Sequence, residues 1–149
     1  MKLNELFSHW DQIHRDTIAV IEKFDETDLD VSAYEGGWTV AEIALHIANA
    51  EEGWFRVVAS RKDTDWPPEY SVNDYPSKKA IITLLDHSHK ETMDFLHSFS
   101  LEDLDTIVES KWGSFSMRFI IWHVIEHEIH HRGELSLIHG ILGRKGLDV

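Results

Sequence analysis

The segment Trp122–Leu135 reads WHVIEHEIHHRGEL and lies inside a long stretch without proline, residues 114–142. His127 and His131 are four residues apart, so a helix would place their side chains one turn apart and about 40° around its axis. This is the spacing at which two imidazoles can reach one metal ion. The segment therefore predicts a long helix that carries two ligands of a metal site.

The histidine pair shares its side of the predicted helix with apolar residues, namely Ile120, Val124, Leu135 and Ile138. This pattern indicates that His127 and His131 face the interior of the protein. Two buried neutral imidazoles without partners would be costly, and a metal ion would satisfy both. The alternative is that they are surface histidines, or core histidines that each bond to a carbonyl.

A third ligand is expected from another element, and His46 is the candidate. It lies in VAEIALHIANAEEGW, residues 40–54, where Ile43, Ile47 and Ala50 form a core-facing stripe. Alone, such a histidine is more often a hydrogen-bonded core residue than a ligand. Three imidazoles would leave a divalent ion an open position, which is typical of catalytic sites.

The same helix also contains the pattern H-E-x-x-H, from His127 to His131. In zinc proteases of this type the two histidines bind zinc and the glutamate, here Glu128, is the general base. Only His139 follows as a further ligand, and no predicted strand would hold an extended peptide. A protease is therefore a minor alternative.

Four segments with helical periodicity account for nearly the whole chain: residues 2–24, 39–61, 77–99 and 114–142. Thr39 and Glu42 form a predicted capping box at the start of the second segment. Prolines interrupt the connection over residues 63–76, and no stretch alternates as a strand does. The sequence predicts an all-α four-helix bundle, folded as one domain over residues 1–149.

The composition excludes several classes of function. The chain has 149 residues, of which 27 are acidic and 14 basic, giving a net charge of −13. This charge argues against binding to nucleic acid and to anionic membranes. The chain has no cysteine, so it has neither disulfides nor thiolate ligands. No signal peptide or membrane span is recognisable, which predicts a cytoplasmic protein.

Two tracts carry a resemblance to a known family, GWTVAEIALHIANAEEGW at residues 37–54 and IIWHVIEHEIHHRGEL at residues 120–135. They resemble the DinB/YfiT-like proteins, and the H-x-x-x-H-R-G portion is the most specific part. The resemblance implies a four-helix bundle with up-down-down-up topology, commonly a homodimer. It also implies that His46, His127 and His131 bind a divalent metal, with zinc and nickel as the plausible ions.

The resemblance further implies a class of reaction. The best-understood relatives are transferases and isomerases that use a low-molecular-weight thiol such as bacillithiol, mycothiol or glutathione. We therefore expect transfer of such a thiol to a small electrophilic substrate, which fits a chain without cysteine. Hydrolysis by metal-activated water is an alternative, and so is a metal- or ligand-binding protein without turnover that acts in a stress response.

Four residues near the predicted metal site have candidate roles. Glu128 and His123 are the candidates for a general base, although His123 is better explained as lining the pocket. Trp54 and Trp122 are the candidates for the wall of an apolar substrate pocket.

Two further patterns lead to expectations about surfaces. A second apolar stripe on the fourth helix favours a homodimer, because no helix is fully surrounded in a four-helix domain; the stripe is Ile121, Ile125 and Ile129. Three histidines of the third helix are expected on a solvated face: His87, His89 and His97.

Overall fold

The structure, a computed structural model, describes residues 1–145, so the last four residues of the predicted domain lie outside the described residues. Within it the chain forms five α-helices: α1 Leu3–Leu6, α2 Trp10–Glu22, α3 Val40–Glu52, α4 Lys78–His97 and α5 Met117–Ile141. Helices α2 to α5 are the four long helices that the sequence predicted.

The first predicted helix is divided into α1 and α2. The backbone N–H of Leu3 donates to the carbonyl of Phe99, and the N–H of Leu101 donates to the carbonyl of Met1. These bonds tie the start of the chain to the turn after α4. Because these bonds fix the direction of α1, α1 does not continue into α2, which begins separately at Trp10.

Helix α3 begins with the predicted capping box, which the structure confirms. The hydroxyl of Thr39 accepts from the Glu42 N–H at 3.2 Å, and the Glu42 carboxylate accepts from the Thr39 N–H at 2.8 Å. Beyond Glu52 the helix widens into a π-helical segment, Gly53–Ala59. Helical structure therefore continues to Ala59, two residues short of the predicted end at residue 61.

A β-hairpin precedes α5, so the expectation of a chain without strands was wrong. Strand β1, Ile107–Ser110, pairs antiparallel with β2, Gly113–Ser116. Each strand has only four residues, too few for alternation to be recognised in the sequence. The hairpin turns at residues 111–112, and Gly113 follows as the first residue of β2 with a positive φ of 129° that suits glycine. The hairpin delays the start of α5 to Met117.

The buried side chains form two apolar clusters along the bundle. One cluster lies where the C-terminal part of α2, α3 and α4 meet the C-terminal half of α5. The other lies where α1, the start of α2, the π-helical segment and the hairpin meet the N-terminal half of α5. Ile121 and Ile125 belong to the second cluster, and only Ile129 of their predicted stripe is exposed. Two of the three residues of the stripe therefore pack within the chain, and the homodimer stays a prediction.

The expected solvated histidine face of α4 is only partly present. His87 and His97 are exposed, whereas His89 is buried among α2, α3 and α4. Within residues 1–145 no helix combines the length and apolarity that crossing a bilayer requires.

Candidate metal centre

The structure brings the three predicted ligands together, one from α3 and two from α5. The Nε2 atom of His127 lies 3.1 Å from Nε2 of His46 and 3.2 Å from Nε2 of His131. We call these three residues the histidine triad. Their ligand atoms all lie within 4.8 Å of one another, as binding of a single ion requires.

Helix geometry explains how the triad is positioned. His127 and His131 stand one turn apart on α5, so their rings project from the same side. The capping box fixes the start of α3, and His46 follows on its second turn. Contact between α3 and α5 then sets the imidazole of His46 against the pair.

Carboxylates contact the outer nitrogens of two triad residues. Glu69 Oε1 lies 2.9 Å from Nδ1 of His46, and Glu134 Oε2 lies 2.6 Å from Nδ1 of His131. A carboxylate accepts hydrogen bonds, so in both histidines Nδ1 carries the proton. Each Nε2 atom therefore directs a lone pair toward the middle of the triad. This carboxylate–histidine arrangement is the one that orients metal-bound histidines.

The triad without a cation would be poorly satisfied. The Nε2 atoms of His46 and His131 carry lone pairs, and His127 can donate its single Nε2 proton to only one of them. Nitrogen ligands bind zinc at about 2.0–2.1 Å, so three nitrogens around one ion lie roughly 3.0–3.4 Å apart. The observed separations of 3.1 and 3.2 Å match this range. The residues therefore fit a divalent metal.

The local electrostatics disfavour protonation of the two triad histidines on α5. Burial, together with the neighbouring imidazoles of His131 and His46, lowers the pKa of His127 to about 3. Burial also lowers the pKa of His131, although the carboxylate of Glu134 opposes this shift. Metal ligands must be unprotonated, so the site is ready to bind a cation at neutral pH.

A cavity opens beside His131 and is covered in part by Trp38. The indole of Trp38 stands edge-on to the imidazole of His46 at 4.4 Å and lies nearly parallel to that of His131 at 6.1 Å. The cavity has a volume of about 360 Å³. Its walls are the loop before α3 and one side of α5, with Ala33, Tyr34, Gly36, Gly37, Trp38, Ile43, His131, Glu134, Leu137 and Ile138.

Glu128 does not belong to this site, which corrects its candidacy as a general base. Its carboxylate is buried on the core side of α5, where it accepts a hydrogen bond from the indole of Trp10 at 2.7 Å. Its other oxygen lies 3.4 Å from Nδ1 of His14. One residue along a helix is a rotation of about 100°, which turns Glu128 away from His127.

Glu128 contributes to a second group of histidines, His14 and His89, which we call the core imidazole pair. The two buried rings stack at 4.3 Å with only 9° between their planes. His14 lies between Glu128 and Asp86, the latter at 3.0 Å. His89 lies between Asp11 at 3.0 Å and the buried Glu51 at 3.3 Å.

The surroundings of the core imidazole pair favour the protonated form of both rings. Carboxylates face both nitrogens of each ring, and only an imidazolium can donate to both. Burial lowers the pKa of His89, but Glu51 and Asp11 raise it by more, to about 9. Burial likewise lowers the pKa of His14, and Glu128 outweighs it, so the net shift is upward.

The other candidate residues lie outside the triad. His123 stacks on Phe119 and meets Trp54 edge-on at 4.9 Å, so it lines an aromatic cluster one turn before His127. Trp54 is half-buried in that cluster and does not line the cavity beside His131.

Trp122 does not line the cavity beside His131; it lines a separate, mostly apolar cavity of about 300 Å³ between α1, the start of α2 and α5. Half of its surface is exposed, 51%, and its ring packs edge-on against Phe7 of the N-terminal turn. It therefore belongs to the side of α5 that faces α1 and α2.

Three residues of the site had weak signals or none in the sequence. Glu134 follows His131 by three residues, a spacing that places both on one side of a helix. Trp38 directly precedes the capping box and so lies beside the start of α3. Glu69 is 23 residues from His46 in a loop, and no local pattern relates the two.

The sequence of the chain matches a known protein family. A sequence model described as the DinB superfamily matches residues 9–135. The chain is 28% identical over 96 residues to the protein YizA of Bacillus subtilis, an alignment that spans 62% of this chain and 58% of that protein. It is 26% identical over 124 residues to a protein of Bacillus cereus whose name proposes a metal-dependent hydrolase, covering 74% and 72% of the two chains.

Solved structures share the fold at low identity. A DinB-like protein from Bacillus cereus superposes with a TM-score of 0.80 at 19% identity, covering 99% of this chain and 97% of the other. A mycothiol-dependent maleylpyruvate isomerase superposes with a TM-score of 0.66 at 15% identity, covering 91% of this chain and 61% of the other. At these identities the likeness establishes the fold alone.

Proposed function

The chain belongs to the DinB superfamily, and we propose that it is a metal-dependent enzyme that transfers a low-molecular-weight thiol to a small electrophilic substrate. The observation that carries the proposal is the convergence of three imidazole Nε2 atoms beside an open cavity. His46, His127 and His131 would hold the ion, zinc or nickel. When bound, the cation would lower the pKa of a thiol at its open position and so supply thiolate at neutral pH.

The residues around the triad support binding and orientation. Glu69 and Glu134 hold the Nδ1 protons of His46 and His131, which keeps both lone pairs directed at one point. Trp38 and the apolar walls of the cavity would exclude water from one side of that point. The chain has no cysteine, so the thiol must come from a separate molecule, such as bacillithiol.

A second candidate function is metal-dependent hydrolysis. The name of the Bacillus cereus relative favours it, and the mycothiol-dependent isomerase among the structural neighbours favours thiol chemistry. Both functions use the same open position, with water in place of the thiol. Glu128 would not act as the general base for that water, because its carboxylate is engaged in the core.

The proposal includes the assembly that the family resemblance implies. We expect the four long helices to follow the up-down-down-up order, and two copies of the 17.3 kDa chain to form a homodimer. Light scattering on the untagged protein measures the mass. A mass of a single chain at micromolar concentration would contradict the dimer.

The first experiment measures metal content by mass spectrometry on untagged protein. We expect close to one zinc or nickel ion per chain in the parent and almost none in a His127→Ala/His131→Ala double variant. His87→Ala is the matched control, because His87 is an exposed histidine on α4 and should leave the metal content unchanged. A parent without metal after incubation with zinc or nickel would refute the proposal.

The second experiment separates the candidate reactions. The loaded protein is mixed with a chromogenic electrophile, 1-chloro-2,4-dinitrobenzene, with and without bacillithiol or glutathione. Thiol transfer requires both metal and thiol, and the rate should fall to background in His127→Ala. Hydrolysis of a chromogenic ester that needs the metal but no thiol would favour the hydrolase. No rate in any combination would favour a binding protein without turnover.

A further inference from the structure

The proline-containing segment 66–70 lies along one side of α3, at residues that follow His46 at helical spacing. Asn49 is one turn after His46, and Glu52 and Gly53 are another turn further. Each of these residues contacts the segment. The side of α3 that carries a triad ligand is therefore also the side that binds this loop.

Asn49 is the centre of these contacts. Its side-chain amide is fully buried, with an exposed fraction of 0%. The Nδ2 group donates to the carbonyl of Pro67 at 3.1 Å and to that of Pro68 at 2.7 Å, while Oδ1 accepts from the indole N–H of Trp66 at 3.0 Å. Both amide hydrogens and the oxygen are thus used, and every partner lies in the loop. Asn49 would be left unsatisfied in the core if the loop moved away.

Gly53 makes room for the same segment. A Cβ atom at this position would lie 2.2 Å from Cζ2 of Trp66, inside the van der Waals radius of the ring. Only glycine allows the indole to lie directly on the helix. Farther along, the hydroxyl of Tyr70 donates to the carboxylate of Glu52. The segment is therefore held on both sides of Glu69.

The side chain of Glu69 is 55% exposed, and among residues 1–145 it forms a hydrogen bond only with Nδ1 of His46. The loop contacts of Asn49 place the backbone next to Glu69, and this determines whether its carboxylate reaches the imidazole. The position of a surface carboxylate at the triad thus depends on a buried amide.

We propose that Asn49 is a positioning residue for the metal centre: by holding segment 66–70 on α3, it keeps Glu69 on Nδ1 of His46. This inference rests on the proposed metal site. Glu69 orients the Nε2 lone pair of His46 toward the ion, so docking of the segment strengthens metal binding. Because such coupling is reciprocal, metal binding also holds the segment on the helix.

A double-mutant cycle on zinc affinity tests the inference, measured by competition with a chromogenic chelator. Loss of an orienting partner of a histidine ligand costs about 10- to 100-fold in metal affinity. We expect Asn49→Ala and Glu69→Ala each to weaken zinc binding by about 10-fold, and the double variant to be no weaker than the weaker single variant. Additive losses, or no loss in Asn49→Ala, would overturn the proposal.

A second readout follows the segment directly. Trypsin cleavage after the exposed Lys62, at the start of the loop, reports how freely the segment leaves α3. Zinc should slow this cleavage in the parent, and the protection should be largely lost in Asn49→Ala. Equal protection in both proteins would count against the coupling.

Controls separate positioning from general damage. Thr92→Val changes another buried polar residue, on α4, and should leave zinc affinity and protection unchanged. If Asn49→Ala does not fold, Trp66→Phe is the second variant. It removes the indole N–H that donates to Asn49 together with part of the ring that packs on Gly53, and it should weaken zinc binding in the same non-additive way with Glu69→Ala. A parent that binds zinc but gives an additive cycle refutes this inference alone, whereas a parent that binds no zinc refutes the metal site as well.

Discussion

In the histidine triad, Nε2 of His127 faces two other imidazole nitrogens, whereas in the core imidazole pair each ring nitrogen of His14 and His89 faces a carboxylate oxygen. Burial and the neighbouring imidazoles disfavour a proton on His127, and the convergence of three nitrogens suits a metal ion. Carboxylates on both sides of a ring favour the imidazolium. The neighbours of a histidine, rather than the residue type, therefore decide whether it binds a metal or carries a proton.

The two clusters also differ in how they use carboxylates. At the triad, Glu69 and Glu134 contact only the outer nitrogens and leave the inner ones free. In the core, carboxylates occupy both nitrogens of each ring and join α2, α3, α4 and α5 into one charged network. The first arrangement prepares a binding site, and the second stabilises the packing of the bundle.

The largest expected effect is on the core network. Glu128→Ala removes a buried carboxylate from His14 and Trp10, and breaking a buried ion pair costs about 3–5 kcal/mol. Urea unfolding of the metal-free protein should show this loss, with Glu126→Ala, an exposed residue of the same helix, as the control. In the same assay His127→Ala should cost about 1 kcal/mol or less, because the triad is poorly satisfied without a cation. Equal losses at Glu128 and His127 would remove the distinction between the clusters.

An intermediate effect is expected from pH. The pKa of His89 is raised from 6.5 to about 9, so its stabilisation is complete below pH 6.5 and is lost as the pH rises through 9. A shift of this size corresponds to roughly 3 kcal/mol. The pKa of His127 is lowered from 6.5 to about 3, so below pH 6.5 this histidine takes up a proton in the unfolded chain but not in the folded one. The free energy of unfolding of the metal-free protein therefore falls as the pH drops below 6.5.

Unfolding free energies of chelator-treated protein between pH 5 and 9.5 check both limbs. We expect the free energy of unfolding to decrease toward both ends of this pH range. The decrease at alkaline pH should be smaller in His89→Gln. Zinc should act on the acidic limb, because protons and metal compete for the triad. An alkaline limb that zinc abolishes would mean that the two clusters do not titrate separately.

The smallest expected effect concerns the carboxylate at His131. Glu134→Gln keeps an oxygen that can accept a hydrogen bond from the Nδ1–H group of His131 but removes the negative charge. Zinc affinity should therefore fall by about 10-fold, or roughly 1.4 kcal/mol. The unfolding free energy of the metal-free protein should change by less than about 0.5 kcal/mol, because Glu134 is partly exposed. Isothermal titration with zinc measures the first quantity. A large loss of stability would place Glu134 with the core carboxylates instead.

Much of the fold was predictable because it rests on local patterns. The apolar spacing located the four long helices, and Thr39 with Glu42 located the start of α3. The hairpin before α5 was missed because its four-residue strands leave no periodic signal. The break between α1 and α2 was missed because it depends on backbone bonds to the turn after α4.

The site was predictable to the same extent. His127 and His131 lie on one helix, where their spacing fixes their relation, and His46 followed from its apolar stripe. Glu128 was misassigned because the sequence places it beside His127, whereas the packing of α5 against α2 determines which core group it meets. His89 was misassigned because its surroundings come from α2 and α3, which α4 contacts only after folding.

By itself, the sequence determined the helices, their caps and the i, i+4 pair, because these depend on residues within one or two turns of each other. Tertiary structure alone decided that Glu69 reaches His46 across 23 residues and that Trp10 reaches Glu128 across 118. It also decided the direction of the pKa shifts of His14, His89, His127 and His131, because a pKa depends on burial and on charges that separate helices bring together. A local pattern shows which residues form a helix, but it does not show which other helix each face of that helix will contact.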